Sequence, residues 1–96
     1  SNNALAPYNS GYVRMEHLND PGRAKADFSK AIALNTNYYP AWYNRGVAME
    51  RTGQLDSAAA NYQIALRIEP GFTEAAVALD RLAKQGVRIK MPRTTK

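Results

Sequence analysis

Residues 24–34, AKADFSKAIAL, and residues 58–68, AAANYQIALRI, lie 34 positions apart and share one skeleton. Ala24 falls on Ala58, Ala26 on Ala60 and Ala31 on Ala65, while Phe28 falls on Tyr62, Ile32 on Leu66 and Leu34 on Ile68. Ala, aromatic, Ala at spacings of four and three is one face of a helix. The small residues let a neighbouring helix approach, and the ring fills the remaining volume. Further out, Met15-Glu16 falls on Met49-Glu50 with the same shift. A fixed period of this length predicts stacked helical units.

Turn chemistry keeps the same step. Gly53 follows the segment 42–52, where a helix stops most readily on a residue in the left-handed region. Asn19 stands 34 positions earlier, and Asn is the second choice for that conformation. Asp20-Pro21 reads as an N-cap with a first-turn proline. Pro40 opens a helix in the same manner, Pro70 ends one, Thr73 caps the helix that starts at Glu74, and Gly86 follows the last periodic residue. The spacing predicts five helices, at about 7–18, 21–34, 40–52, 55–68 and 74–85, and no strands in the folded region.

Composition narrows the function classes. A chain of 96 residues is one domain, and its 45% apolar content is ordinary. Apolar runs stay short, as at 58–60 and 75–79, far below the roughly 20 residues a membrane helix needs. No basic start followed by an apolar stretch marks a secretion signal. There is no cysteine, which removes disulfides, thiolate metal sites and cysteine nucleophiles. The +5 net charge is uneven: residues 86–96 hold four cations and no acid, whereas residues 1–85 hold nine Lys/Arg against eight Asp/Glu. The body is nearly neutral, which argues against nucleic acid as its partner.

The second period resembles the tetratricopeptide repeat, whose pattern is W-x2-L-G-x2-Y, then A-x3-F, A and P. Counted from Tyr39, it offers Trp42, Gly46, Ala58, Tyr62, Ala65 and Pro70 at the matching places, with Arg45 and Met49 where Leu and Tyr are usual. The first period, from Leu5, matches through Tyr8, Met15, Ala24, Phe28 and Ala31; Gly11-Tyr12 inverts the expected large–small order and Thr36 replaces the proline. Two registers compete for its first helix. The ungapped shift of 34 makes Tyr8, Gly11, Tyr12 and Met15 one stripe and is preferred. A shift of 35 aligns Tyr8-Asn9-x-Gly11 with Tyr43-Asn44-x-Gly46, needs an extra residue before Met15-Glu16, and puts Arg14 inside.

The resemblance implies an all-α, right-handed superhelical stack of two helix-turn-helix hairpins plus a C-terminal capping helix. The expected divisions are a flexible segment 1–6, repeat one at 7–38, repeat two at 39–72, a capping helix at 73–86 and a basic flexible tail at 87–96. The expected core is Tyr8, Tyr12, Phe28, Trp42, Gly46, Ala58, Tyr62, Ala65 and Leu79, with Ala76, Leu79 and Ala83 as the inner face of the closing helix. Trp42, Tyr62 and Leu66 are expected to meet Phe28, Ile32 and Leu34 across the repeat boundary. The first helix has no predecessor to share its apolar residues with. That implies a longer parent chain or self-association through the N-terminal hairpin.

The resemblance also implies a protein or peptide partner held in a concave groove lined by the first helices. In the ungapped register the groove takes Ala6, Asn9, Ser10, Val13, Glu16 and His17 from the first repeat. It takes Pro40, Tyr43, Asn44, Val47, Glu50 and Arg51 from the second. Glu74, Val77, Ala78, Arg81 and Lys84 follow from the closing helix. Tyr43 and Asn44 suit a peptide: a ring with little rotamer entropy beside an amide. Of the carboxylate clamp by which some relatives hold chaperone tails, Asn44 matches one position, but Asn9, Val13, Glu74 and Ala78 replace its other Lys and Asn residues, so an acidic chaperone tail is not the expected ligand.

No catalytic set is assembled. His17 is the single histidine, beside a helix end, where a capping or solvated role accounts for it. No cofactor, metal cluster or phosphate loop is expected. Asp20, Asp56 and Glu74 sit at helix starts, where the dipole favours carboxylates. The tail alternates Val87, Arg88, Ile89, Lys90, Met91. Its readings are a charged flexible extension, a segment that occupies a groove on a neighbouring copy, or a weak phosphate contact. The competing functions are therefore an interaction scaffold, a nucleic-acid accessory module acting through the tail, and a non-catalytic fragment of a larger enzyme. Cytoplasm and periplasm both suit the composition.

Overall fold

The computed structural model of the protein describes residues 3–90. Five helices follow one another: α1 Leu5–Glu16, α2 Pro21–Leu34, α3 Tyr39–Arg51, α4 Leu55–Ile68 and α5 Thr73–Lys84. Among the described residues there is no strand. Helices α1 and α2 form one antiparallel hairpin, α3 and α4 a second, and α5 packs on α4. The result is the all-α stack of two hairpins and a closing helix that the resemblance implies.

The turn chemistry behaves as its residue types dictate. Asp20 accepts a hydrogen bond from the Arg23 amide at 3.2 Å and caps α2, with Pro21 its first residue. Asn19, Gly53 and Gly86 are left-handed, with φ of 51°, 81° and 95°. Thr73 does not cap α5. It is the first helical residue, and Phe72 takes the cap position with no side-chain bond. Helix α1 starts earlier than expected: Leu5 and Ala6, assigned to a flexible segment, are helical. Ala4 explains this, because it is buried in a cluster with Ala31, Ile32 and Ala41.

Three clusters make the core. Phe28 and Tyr62 are fully enclosed, in separate groups: Phe28 lies with Met15, Ala24 and Ala48, and Tyr62 with Ala58, Ala65, Ala75 and Leu82. Half-buried Trp42 packs on two clusters and joins the hairpins. Its indole N–H donates to the Thr36 carbonyl at 2.9 Å, and the Arg45 guanidinium stands over its ring.

Three core expectations change. Tyr12 is 45% exposed and Leu34 48% exposed, so neither belongs to the core. Helix α5 buries Ala75, Ala78 and Leu82, with Leu79 at the edge and Ala76 and Ala83 exposed. That face is one residue away from the expected one. It is also the face α3 buries, through Ala41, Asn44 and Ala48, each 34 positions earlier. Of the C-terminal segment expected to be flexible, Val87 and Ile89 are half-buried against the last cluster, and residues 91–96 lie outside the described residues.

Candidate functional site

Helices α1, α3 and α5, the first members of successive units, share one side of the stack. Their side chains there are joined across the helices by ion pairs. Glu50 on α3 receives the Arg81 guanidinium of α5 through two hydrogen bonds, at 2.6 and 2.9 Å. The same carboxylate accepts the Tyr62 hydroxyl at 2.7 Å. The Arg81 hydrogen bonds hold the Glu50 carboxyl below the usual carboxylate range, against the opposing effect of burial. Arg81 is in turn pushed up by Glu50, and Tyr62 is pushed up by burial and then by Glu50. On the neighbouring step, Arg51 of α3 reaches Glu16 of α1 at 3.4 Å and the Met15 carbonyl at 3.3 Å.

Apolar groups border these pairs. Tyr43 packs on Tyr62 and Phe72, with ring centroids 5.6 and 5.1 Å apart, so it is half-buried and not free. Burial raises its phenol pKa, with Glu74 adding to the effect. Val47 is half-buried beside it, and Val77 of α5 stands 61% exposed. Asn44 is buried, and its amide N–H groups donate to the Tyr8 hydroxyl at 2.9 Å and the Pro40 carbonyl at 3.1 Å. Its donors thus serve the junction between the hairpins. His17 is exposed at the C-terminal cap of α1. Among the described residues no group of His, Cys, Asp or Glu is arranged to hold a metal ion, and no helix is long and apolar enough to cross a membrane.

The family model described as Tetratricopeptide repeat matches residues 39–72, which is α3, α4 and the turns that flank them. The solved structure titled "Crystal structure of MamA" superposes with a TM-score of 0.83 at 29% identity, over 86% of this chain and 48% of that one. Residues 39–72 are a tetratricopeptide repeat. Anaphase-promoting complex subunit 3 of Schizosaccharomyces pombe is 40% identical over 48 residues, half of this chain and 7% of that subunit. The chain therefore spans less than half the length of either relative. Tetratricopeptide repeats generally mediate protein–protein interactions, and protein partners are the class this repeat indicates.

Within the repeat frame, contacts decide the register of α1. A Cβ added to Gly11 would stand 2.8 Å from the Phe28 ring, and one added to Gly46 would stand 2.7 Å from the Tyr62 ring. Tyr8 packs on Phe28 as Tyr43 packs on Tyr62. Ser10 and Arg14 both bond to Asp27, while Arg45 and Met49 both contact Asn61. Every one of these pairs relates the hairpins by 35 residues in the first helix and 34 in the second. The preferred ungapped reading of α1 is thus off by one residue. The extra residue sits in a wide terminal turn, where the Leu18 amide donates to Val13 and the Asp20 amide to Arg14.

That shift exchanges two assignments. Tyr12, placed in the core, becomes the counterpart of Val47; Val13, placed in the groove, becomes the counterpart of Ala48. Ala48 is fully buried against the first hairpin, and Val13 is 45% exposed. Asn9 is exposed at the place where Asn44 is buried. Sequence reasoning missed Leu5 and Tyr12 as counterparts of Pro40 and Val47. The repeated Tyr-Asn-x-Gly at 8–11 and 43–46 was the signal for them.

Proposed function

We propose that the face lined by α1, α3 and α5 holds an apolar segment of a partner protein, with Leu5, Tyr12, Tyr43, Val47 and Val77 as contacts. The observation that carries this reading is the pairing of the face's charges with one another: Glu16 with Arg51 and Glu50 with Arg81. Such a face has little formal charge left for an acidic or basic ligand, and large exposed side chains on it (Leu5, Tyr12 and Val77) are apolar. Burying one of them in a partner contributes about 1.5–3 kcal/mol. Arg81 and Arg51 act as struts that fix the spacing of the helices, rather than as ligand hooks. Three helices offer less than a standard interface, so affinity is modest.

The test uses the tightest peptide selected from a random displayed library. Tyr12→Ala and Val77→Ser should each weaken binding by roughly tenfold, in the range of single interface anchors. Raising salt from about 0.05 to 0.5 M should change affinity little, because the contacts are uncharged. Unaltered binding by both variants, or a steep salt dependence of the kind phosphate contacts produce, would count against the groove reading.

A further inference from the structure

A second surface lies on the other side of the stack. Segment 87–90 turns back from Gly86 and runs beside α4: the Val87 amide donates to the Leu82 carbonyl at 3.0 Å, and the Gln63 side-chain amide donates to the Lys90 carbonyl. Between the segment and α4 lies a cleft of about 650 Å³. Ala60 and Ile64 give it an apolar floor, and Arg67, Arg88 and Lys90 line it together with one carboxylate, Asp56. None of these three cations forms an ion pair among the described residues, in contrast to Arg51 and Arg81 on the opposite face.

This flank also breaks the repeat. Ala59 and Ile64 of α4 correspond to Lys25 and Lys30 of α2, and Arg67 corresponds to Ala33. On α2, Lys30 is exposed and Lys25 donates to the Gln54 side chain at 2.9 Å. On α4 the lysines are replaced by apolar residues, and cations appear at the edge instead. An apolar floor with three cations against one acid is complementary to a ligand that is apolar and anionic at once.

We propose that the cleft between α4 and residues 87–90 binds an acidic peptide segment carrying apolar side chains, as a site separate from the α1–α3–α5 face. Its aliphatic groups lie on Ala60 and Ile64, and its carboxylates meet Arg67, Arg88 and Lys90. Asp56 bounds the site at one end and disfavours a carboxylate there.

A fluorescein-labelled peptide of alternating aspartate and leucine, titrated into the full chain and followed by anisotropy, tests this. Arg67→Glu should weaken binding by about tenfold or more, as expected for a reversed charge in a salt-bridged contact. Ile64→Lys, which installs the residue type found on α2, should do the same. Tyr12→Ala should leave it unchanged, which separates this site from the opposite face. Arg67 is exposed, so its variant reports on the site even if the Ile64 variant is poorly folded. The proposal is overturned by no saturable binding of the acidic peptide, by equal binding of a lysine–leucine counterpart, or by loss of binding in Tyr12→Ala. It is likewise overturned if a single-stranded oligonucleotide binds more tightly than the peptide and is released by Arg67→Glu.

Discussion

At the scale of single residues, two glycines set how closely the helices of each hairpin approach. Gly11 and Gly46 lie directly against the rings of Phe28 and Tyr62. Gly46→Ala forces ring or backbone to move, and overpacking of this kind costs about 1–3 kcal/mol. Gly22→Ala is the internal control: its nearest neighbour is 3.9 Å away, and alanine favours the helix. Thermal unfolding should show a lower Tm for the first and an equal or higher Tm for the second. Arg45 offers a second residue-level test. It stands where the family usually has Leu, yet it donates to Asn61 at 2.8 Å and to Ser29 at 3.1 Å. Arg45→Leu should therefore destabilise, by about 1–3 kcal/mol for an acceptor left without its donor. Adding Asn61→Ala should recover part of that loss in a double-mutant cycle. Such couplings were not legible beforehand: Arg45 read as a simple departure from the pattern, because its partner lies 16 residues away on another helix.

Glu50 carries the pH dependence at this scale. Its folded pKa is depressed, chiefly by the Arg81 hydrogen bonds. Its contribution is therefore complete above the unfolded carboxylate value of about 4.3 and is lost as pH falls through the lower folded value. Glu50→Gln should leave a chain less stable at neutral pH whose stability falls less on acidification below about 4.3. Chemical denaturation at several pH values checks it, and parallel curves for the two proteins would contradict it.

At the scale of elements, α1 and α3 are the same helix in different company. Their counterparts Val13 and Ala48 differ only in what lies beside them: solvent for Val13, the first hairpin for Ala48. Ala48→Val should cost about 1–3 kcal/mol by overpacking, whereas Val13→Ala should stay within about 0.5 kcal/mol, as exposed substitutions do. The second helices were readable to the residue, because α2 and α4 share alanines and a ring at an unbroken step of 34. Helix α1 was not, because its extra residue hides in the turn at 17–19 and Tyr12 completes a plausible apolar stripe. Helix α5 departs from α3 at the place of the close ring contact: Asp80 stands where α3 has Gly46, and it pairs with Lys84 one turn on, at 3.1 Å.

At the scale of the whole molecule, paired and unpaired charges of the described residues lie in different places. Glu16 with Arg51 and Glu50 with Arg81 are matched on the α1–α3–α5 side, while Arg67, Arg88 and Lys90, without ion pairs among the described residues, line the cleft beside α4. Composition alone separated tail from body but not one side of the stack from the other, since that division depends on which residue of each helix turn points where. A partner protein held on the first helices, as proposed, touches α1, α3 and α5 together. Two-dimensional amide NMR of the labelled chain, with and without the selected library peptide, reads this out residue by residue. Shifts are expected at Tyr12, Val47 and Val77 on three different helices, with α2 and α4 quiet. Shifts confined to α2 and α4, with those three amides unmoved, would contradict it.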